Sequence, residues 1–228
     1  MFLNMDDALS IIIPALNAAP GLAMVLPALA GSSVAEVIVV DGGSRDDSRA
    51  LAAGAGARVI EAPRGRGAQL AAGAAAARAD WLLFLHADTR PGAGWGAAVE
   101  AFMASPENAE RAGYFRFCLD DARPAARRLE RLVAWRCRAL GLPYGDQGLL
   151  ISRAFYHRLG GFRPLALMED VDLVRRIGRR RLVGLPPPAL TSAVRYERGL
   201  WRRSARNLGC LSLYFLGAPP GLIARLYH

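Results

Sequence analysis

His86 and Asp88 follow directly after the apolar run 81–85. A short, continuous apolar run is typical of a strand buried on both faces in a parallel sheet. Open α/β sheets bind ligands at the carboxyl ends of such strands. In an extended segment residues i and i+2 point the same way, so the two side chains can face one ligand. An imidazole and a carboxylate suit a divalent cation or a ribose hydroxyl. The alternative interpretation is a strand end that carries an ordinary surface aspartate.

A second carboxylate, Asp41, ends the apolar run 36–40 and precedes Gly42 and Gly43. If the two strands are neighbours, their polar tips lie in one crevice. One carboxylate would then accept a hydrogen bond from a nucleotide base, and the other would hold a metal ion on a diphosphate. The alternative for Asp41 is a turn that caps the next helix.

Arg64 and Arg66 alternate with Gly65 and Gly67 in a loop. Glycine allows the backbone to approach a phosphate closely, and arginine supplies forked donors. The loop is therefore either a phosphate site or a solvated surface loop.

Glu169 and Asp170 open a predicted helix, where they serve either as a general base or as charges that complement the helix dipole. Asp172 is expected to pair with Arg176 at i+4 spacing. Asp146 and Gln147 lie in the polar turn 144–148. That turn either shapes an acceptor pocket or is a simple glycine turn.

The elements that must position these residues alternate between strand and helix through residue 90, which predicts a parallel sheet with helices on its faces. Pro14 is expected to end the first strand, since proline cannot donate to a central ladder. The stretch 186–188 is expected to be a stiff connector. Strands are predicted at 9–13, 36–40, 58–60, 81–85, 113–119 and 148–152, and helices at 21–30, 45–53, 67–78, 124–140 and from 168.

Composition limits the class of protein. The 228 residues are 53% hydrophobic, which is enough for a sizeable core. The three cysteines, Cys118, Cys137 and Cys210, form no CxxC pair, which argues against a disulfide framework or zinc site and fits a reducing cytoplasm. Asp6 and Asp7 stand where a secretory signal would carry basic residues, so a cytoplasmic protein is expected.

The net charge of +9 is unevenly distributed, and all 29 basic residues are arginine. Residues 1–100 carry a net −3 and residues 101–228 a net +12. The second half could meet an anionic acceptor or a membrane surface, whereas no nucleic-acid recognition motif is present. The apolar tail 208–223 is too short to span a bilayer. It predicts a peripheral contact at the inner face of a membrane, a homo-oligomer surface, or a tail packed on its own core.

Taken together and in order, five segments resemble the inverting family 2 glycosyltransferases with a GT-A fold. They are Ser10–Asn17, Val37–Ser44, Arg64–Gly67, Phe84–Asp88 and Met168–Asp170. The resemblance covers nearly the whole chain. It is strongest to the small bacterial branch associated with arsenosugar biosynthesis, which shares the His-Ala-Asp-Thr and Tyr-Gly-Asp-Gln-Gly motifs.

The resemblance implies a single α/β domain of GT-A type, with a Rossmann-like, mostly parallel sheet flanked by helices. Residues 1–110 would bind the nucleotide sugar, 111–206 would form the acceptor side, and 207–228 would be the apolar tail. The implied reaction is a metal-assisted, hexosyltransferase-like transfer from a nucleotide-diphosphate sugar to an acceptor hydroxyl.

The resemblance also implies roles for single residues. Asp41 would contact the base and Arg66 the nucleotide, Asp88 would bind Mn²⁺ or Mg²⁺ on the diphosphate, and Asp170, beside Glu169, would be the catalytic base. The predicted donor site is completed by Pro14, Asn17, Gly43 and His86. The chain departs from the family in two places: His86 replaces the first Asp of Asp-x-Asp, and Ala18 stands where Glu is common. A Gln-x-x-Arg-Trp motif is absent from the sequence, which disfavours a processive synthase.

Two other functions remain open. A sugar-1-phosphate nucleotidyltransferase is also α/β with metal at strand ends, but it usually has a glycine-rich, basic segment after its first strand, which 14–17 lacks. A non-catalytic nucleotide-binding or membrane-peripheral module would fit His86 in the motif and the apolar tail.

Overall fold

The structure is a computed structural model that describes residues 8–29, 34–191 and 200–227, without the side chains of 200–205 and 227. Its strands are β1 (Leu9–Ala15), β2 (Val34–Asp41), β3 (Arg58–Glu61), β4 (Trp81–Phe84), β5 (Thr89–Pro91), β6 (Ala112–Leu119), β7 (Leu149–Ser152) and β8 (Leu182–Thr191). Its helices are α1 (Ala19–Val25), α2 (Ser48–Gly54), α3 (Arg66–Ala76), α4 (Trp95–Ala104), α5 (Pro124–Leu140), α6 (Arg153–Arg158), α7 (Glu169–Ile177), α8 (Leu200–Phe215) and α9 (Pro220–Tyr227).

The described strands form one sheet in the order β3-β2-β1-β4-β7-β6-β8-β5. The first four strands are parallel, so the carboxyl ends of β1, β2 and β4 lie at one edge. β7 runs antiparallel to β4 and pairs Leu149 with Phe84. Its amino end therefore lies at the same edge, and the turn that precedes it reaches the predicted site.

Both faces of the sheet are covered by helices, as continuous apolar strands require. Ile11, Ile13 and Leu83 pack with apolar residues of α1 and α4 on one face. Ile12 and Leu82 pack with residues of α3, α6 and α7 on the other. This arrangement confirms the predicted α/β class with a mostly parallel sheet flanked by helices.

Two expectations about proline were wrong. Pro14 lies inside β1, opposite Val40 of β2. On the other side of β1 the ladder with β4 ends at the Ile12–Phe84 pair. The missing N–H of Pro14 therefore interrupts no bond with β4.

The expected connector 186–188 belongs to strand β8. Its register with β6 shifts from the pair Phe115–Leu185 to the pair Arg116–Pro188. Pro186 and Pro187 occupy the resulting bulge, where a residue without an N–H donor is tolerated.

The helix predicted at 124–140 is confirmed as α5, whereas the helix predicted at 21–30 ends as a 3-10 turn, Leu26–Leu29, that contains Pro27. The tail forms α8 and α9, and Cys210, Leu211 and Ile223 are buried. None of the helices in the described ranges combines the length and apolar character needed to cross a membrane.

Candidate active site

Asp41 ends β2 at the predicted edge, but its carboxylate is fully buried and holds its own loop. Its Oδ2 accepts hydrogen bonds from the N–H groups of Gly43 and Ser44, both at 3.0 Å. Gly43 adopts φ +92°, a conformation that favours glycine. The geometry is that of a capping turn, and contact with a nucleotide base stays a prediction.

Asn17 joins the loop after β1 to the loop after β2. Its N–H donates to Ser44 Oγ at 2.9 Å, and its Oδ1 accepts from Arg45 N–H at 2.8 Å. Asn17 itself has φ +50°, which asparagine tolerates better than most residues. The structure thus places Asn17 against the loop that follows Asp41 and gives its side chain a loop-bridging role, and its predicted contact with the donor stays a prediction.

Gln69 is a positioning residue that sequence reasoning missed. It is buried on α3, and its Nε2 donates to the carbonyls of Ala15 and Val40 at 2.8 Å each. These bonds fasten α3 to the carboxyl ends of β1 and β2. The one available signal was a neutral polar residue within an alanine-rich helix.

Arg66, at the start of α3, reaches across to the start of α7. Its Nε lies 2.5 Å from Glu169 Oε1, and its Nη1 lies 3.5 Å from His86 Nε2. Glu169 is 1% exposed. Burial raises the pKa of Glu169, Arg66 opposes this shift, and the neighbouring Asp170 adds to it. The predicted nucleotide contact of Arg66 remains a prediction, because its guanidinium is bound to a carboxylate.

Asp170 is half-buried in the first turn of α7, and backbone donors orient both of its oxygens. Oδ2 accepts from Gly145 N–H at 2.9 Å and Oδ1 from Val171 N–H at 2.8 Å. Asp170 also lines a cavity of about 20 Å³ with His86, Tyr144 and Glu169. This volume is close to that of a single water probe. A carboxylate with fixed orientation at such an opening can take a proton from a bound hydroxyl.

The turn that carries Asp146 and Gln147 is held by the buried Gln147 side chain. Gln147 Nε2 donates to Phe115 O at 3.0 Å, and its Oε1 accepts from Tyr144 N–H at 3.3 Å and from Cys137 Sγ at 3.1 Å. Because its buried amide is hydrogen-bonded to other parts of the protein, Gln147 stabilises the conformation of the turn.

Gly145 brings this turn against His86. A Cβ atom at Gly145 would collide with the imidazole Nε2. The same glycine donates its N–H to Asp170. The absence of a side chain at this position therefore lets His86 and Asp170 approach the turn from two sides.

Asp146 lies in this turn with one carboxylate oxygen, Oδ1, buried and without a hydrogen-bond partner in the described part of the chain. Burial raises its pKa to about 6; Arg136 opposes the shift, whereas Asp170 and Asp88 add to it. Three carboxylates predicted from separate segments of the sequence thus influence one another at one edge of the sheet.

Asp88 lies in the turn between β4 and β5 and is half-buried. Helix α1 packs tightly on this turn, because a Cβ at Gly21 would lie 3.5 Å from the Asp88 Cα atom and nearer still to Ala87 O. The position of Asp88 is thereby fixed between β4, β5 and α1.

A divalent metal fits these residues only if water and substrate oxygens supply most of its ligands. Within the described ranges, no group of three or more His, Cys, Asp or Glu side chains could hold a metal ion. Magnesium sites that serve phosphates usually take one or two carboxylates and complete the shell with water and substrate oxygens. The carboxylate of Asp88, with the buried oxygen of Asp146 nearby, supplies that donor chemistry.

The pairing predicted for Asp172 is confirmed. Its Oδ2 accepts from Arg176 Nε at 3.0 Å, and its Oδ1 lies 3.2 Å from Arg163 Nη1. Asp172 is thus a structural residue of α7, which leaves Glu169 and Asp170 as the carboxylates of this helix that face the site.

The fold is an α/β domain whose mostly parallel sheet brings Asp41, Asp88, Asp146 and Asp170 to one edge. Residues 10–136 match the sequence model of Glycosyl transferase family 2, and the chain belongs to this family. No curated protein matches the chain.

Solved structures with the same fold include glucosyl-3-phosphoglycerate synthase from Mycobacterium tuberculosis. Its complex with Mn²⁺ and uridine-diphosphate-glucose is 20% identical with a TM-score of 0.61, covering 93% of this chain and 80% of that chain. Its complex with Mn²⁺, uridine diphosphate and glucosyl-3-phosphoglycerate is 21% identical with a TM-score of 0.59, covering 82% and 70%. These likenesses confirm the GT-A type of fold.

Proposed function

We propose that this protein is an inverting, metal-assisted glycosyltransferase that moves a hexosyl group from a nucleotide-diphosphate sugar to an acceptor hydroxyl. The observation that carries the proposal is the placement of Asp170. Its carboxylate is oriented by Gly145 N–H and opens on a cavity beside His86, at the edge where β1, β2 and β4 end.

The donor occupies the loops after β1 and β2 in this proposal. Asp41, with Pro14, Asn17 and Gly43, forms the wall for the base and ribose, and Arg66 and His86 lie toward the diphosphate. The fold neighbours that were crystallised with uridine-diphosphate-glucose and Mn²⁺ support a donor and metal of this class.

Asp88 would hold the Mn²⁺ or Mg²⁺ ion, whose charge neutralises the diphosphate as it leaves. Asp88 suits this role because it follows the end of β4, close enough to the other carboxylates to raise the pKa of Asp146. A bound cation would relieve that repulsion.

Asp170 acts as the base. As the acceptor oxygen attacks the anomeric carbon from the face opposite the diphosphate, Asp170 accepts the hydroxyl proton and the bond from the sugar to the diphosphate breaks. One displacement with one base inverts the anomeric configuration. Glu169 is unsuited to this role, because it is 1% exposed and bound to Arg66.

The acceptor lies against the turn 144–148. Asp146 belongs to this turn, and the buried amide of Gln147 holds the turn in place. The sequence resemblance extends the proposal to a cytoplasmic step in arsenosugar biosynthesis.

A thermal-shift panel of nucleoside diphosphates, with and without Mn²⁺, tests the donor and metal assignments together. A ligand that binds the native state raises the apparent melting temperature. We expect a Mn²⁺-dependent shift with at least one nucleotide for the native protein and none for Asp88→Ala. The matched control is Asp80→Ala, which removes an exposed carboxylate at the opposite end of β4.

Undiminished metal dependence in Asp88→Ala would refute the metal assignment. Release of pyrophosphate from a nucleoside triphosphate and a sugar 1-phosphate would instead establish a nucleotidyltransferase. Hydrolysis of the sugar donor in the absence of acceptor would argue against a module without catalysis.

A further inference from the structure

Large apolar side chains that are at least half exposed concentrate on three helices in the second half of the chain. In the described part of the chain, Met24 on α1 is the one such residue elsewhere. The others are Leu132, Trp135 and Leu140 on α5, Leu208 and Phe215 on α8, Leu216 just after α8, and Leu222 and Leu226 on α9. Contiguous exposed apolar patches mark interaction sites in many proteins, so the surroundings of these side chains are of interest.

Helix α5 has two distinct faces. Its buried stripe, which includes Leu129 and Val133, packs against Phe117 and Leu119 of β6. The opposite face is centred on Trp135, which is 55% exposed, and on Leu132, which is 52% exposed. Within the described fold, Trp135 is not among the residues that pack α5 against the sheet.

Arginines flank the exposed tryptophan. Arg128, Arg131 and Arg138 stand at i−7, i−4 and i+3 from Trp135, so they share its side of the helix, and all three are exposed. The one acidic residue of α5, Glu130, turns toward the sheet, where it accepts from Leu119 N–H at 2.9 Å. The outward face of α5 is therefore basic and apolar, without a carboxylate.

Helices α8 and α9 continue this character beside α5. Leu211 of α8 packs against Leu142, which lies two residues beyond the end of α5. Residues 200–227 contain four arginines and no acidic residue. Arg206 and Arg225 are exposed on α8 and α9, so these helices likewise present basic and apolar groups.

We propose that α5, together with α8 and α9, docks on an anionic membrane surface. A lipid surface supplies a partner for each of the two kinds of group on this face. Anionic headgroups meet the arginines, and the boundary between headgroups and acyl chains accommodates tryptophan and leucine.

A second copy of the chain is a poorer occupant of the outward α5 face. A two-fold contact through this face would place arginines against arginines, and the face contains no carboxylate to compensate. The membrane proposal does not depend on the proposed reaction, since none of the residues on this face belongs to the candidate active site.

Vesicle co-sedimentation of the full chain tests the proposal. One set of vesicles contains phosphatidylcholine alone, and the other contains equal parts of phosphatidylglycerol and phosphatidylcholine. We expect binding to the anionic vesicles only, weakened by salt. The triple variant Arg128→Gln, Arg131→Gln, Arg138→Gln should lower the partition coefficient on the order of 100-fold, since each basic residue near such a surface contributes about a fivefold factor.

The variants Trp135→Ala and Met24→Ala distinguish insertion of the α5 face into the membrane from nonspecific hydrophobic binding to vesicles. Both variants remove one large, exposed apolar side chain, so neither should alter the melting temperature appreciably. Trp135→Ala should reduce sedimentation with the anionic vesicles, and Met24→Ala should leave it unchanged.

Three results would overturn the proposal. They are the absence of sedimentation with either vesicle, equal sedimentation of the native protein and the α5 variants, and a dimer that Trp135→Ala dissociates while vesicles bind neither form. The last result would assign the same face to self-association. Donor binding measured by thermal shift is independent of all three.

Discussion

Replacing Asp170 by Asn separates the chemical role of its carboxylate from its structural role. The substitution keeps the size of the side chain but removes its basicity. If Asp170 accepts the acceptor proton, kcat should fall on the order of 10²–10⁴-fold. The donor dissociation constant should change little, because Asp170 is on α7, outside the loops after β1 and β2 that are proposed to hold the base and ribose.

The structure also predicts a cost in stability. Both oxygens of Asp170 accept backbone N–H groups, from Gly145 and from Val171. An Asn side chain has one oxygen, so its NH₂ group must face one of these two donors. Losing one hydrogen bond to a charged acceptor costs about 1.5–3 kcal/mol. For a domain of this size, that corresponds to a fall in melting temperature of roughly 3–12 °C.

Glu169→Gln is the matched control for this prediction. Its side-chain oxygen can still accept from Arg66, and it removes a charge whose burial raises the pKa of Glu169. We expect activity within about tenfold of the native enzyme, with single-turnover kinetics used for both variants. An active Asp170→Asn beside an inactive Glu169→Gln would transfer the base role to Glu169 and refute the assignment of Asp170.

Three further variants probe the turn beside Asp170. The pKa of Asp146, at about 6, lies above its ordinary value of 3.8, because the buried carboxyl favours its protonated form. The protonated carboxyl therefore contributes fully to stability below pH 3.8, and this contribution is lost as pH rises through 6. Between about pH 4 and pH 8, the native protein should therefore lose about 2–3 kcal/mol of unfolding free energy that Asp146→Asn does not lose, as measured by urea titrations across this range. Gln147→Leu leaves Phe115 O without its donor and should cost about 1–3 kcal/mol per unsatisfied group, seen as a lower urea midpoint with an unchanged slope; an unchanged midpoint would mean that water replaces the amide. In Gly145→Ala the new methyl group should collide with His86. Turnover assays should show a lower kcat, while circular dichroism shows that the fold is kept. Full activity would show that the turn can move enough to accommodate the methyl group.

The edge of the sheet that carries the site was predictable because the strands that form it are buried on both faces. The runs before Asp41 and after residue 80 are almost wholly apolar, and only parallel central strands require this. β1 lies between these two strands, and because all three run parallel, their polar ends lie at the same edge of the sheet. The predicted bounds of α5 are those observed; Pro124 is its first residue and Gly141 directly follows its end, as is usual at helix termini.

The contacts that organise the site could not be predicted in the same way. Arg66 and Glu169 lie far apart in sequence, and no local pattern distinguishes their pairing from two solvated side chains. Strand β8 was missed because three consecutive prolines disfavour a central strand. Its bulge is possible only because β6 supplies a partner on either side of Pro186 and Pro187.

The adjacent carboxylates Glu169 and Asp170 show how such long-range contacts assign different roles to chemically similar neighbours. Successive residues on a helix diverge by about 100°, so the two side chains meet different surroundings. Glu169 turns inward to Arg66 and ties α7 to the start of α3, whereas Asp170 turns toward Gly145 and the cavity. The inward pair fixes the position of the helix end, and a fixed helix end holds the second carboxylate in one orientation. We therefore expect that breaking the Arg66–Glu169 pair disturbs catalysis through the geometry of Asp170, the proposed base.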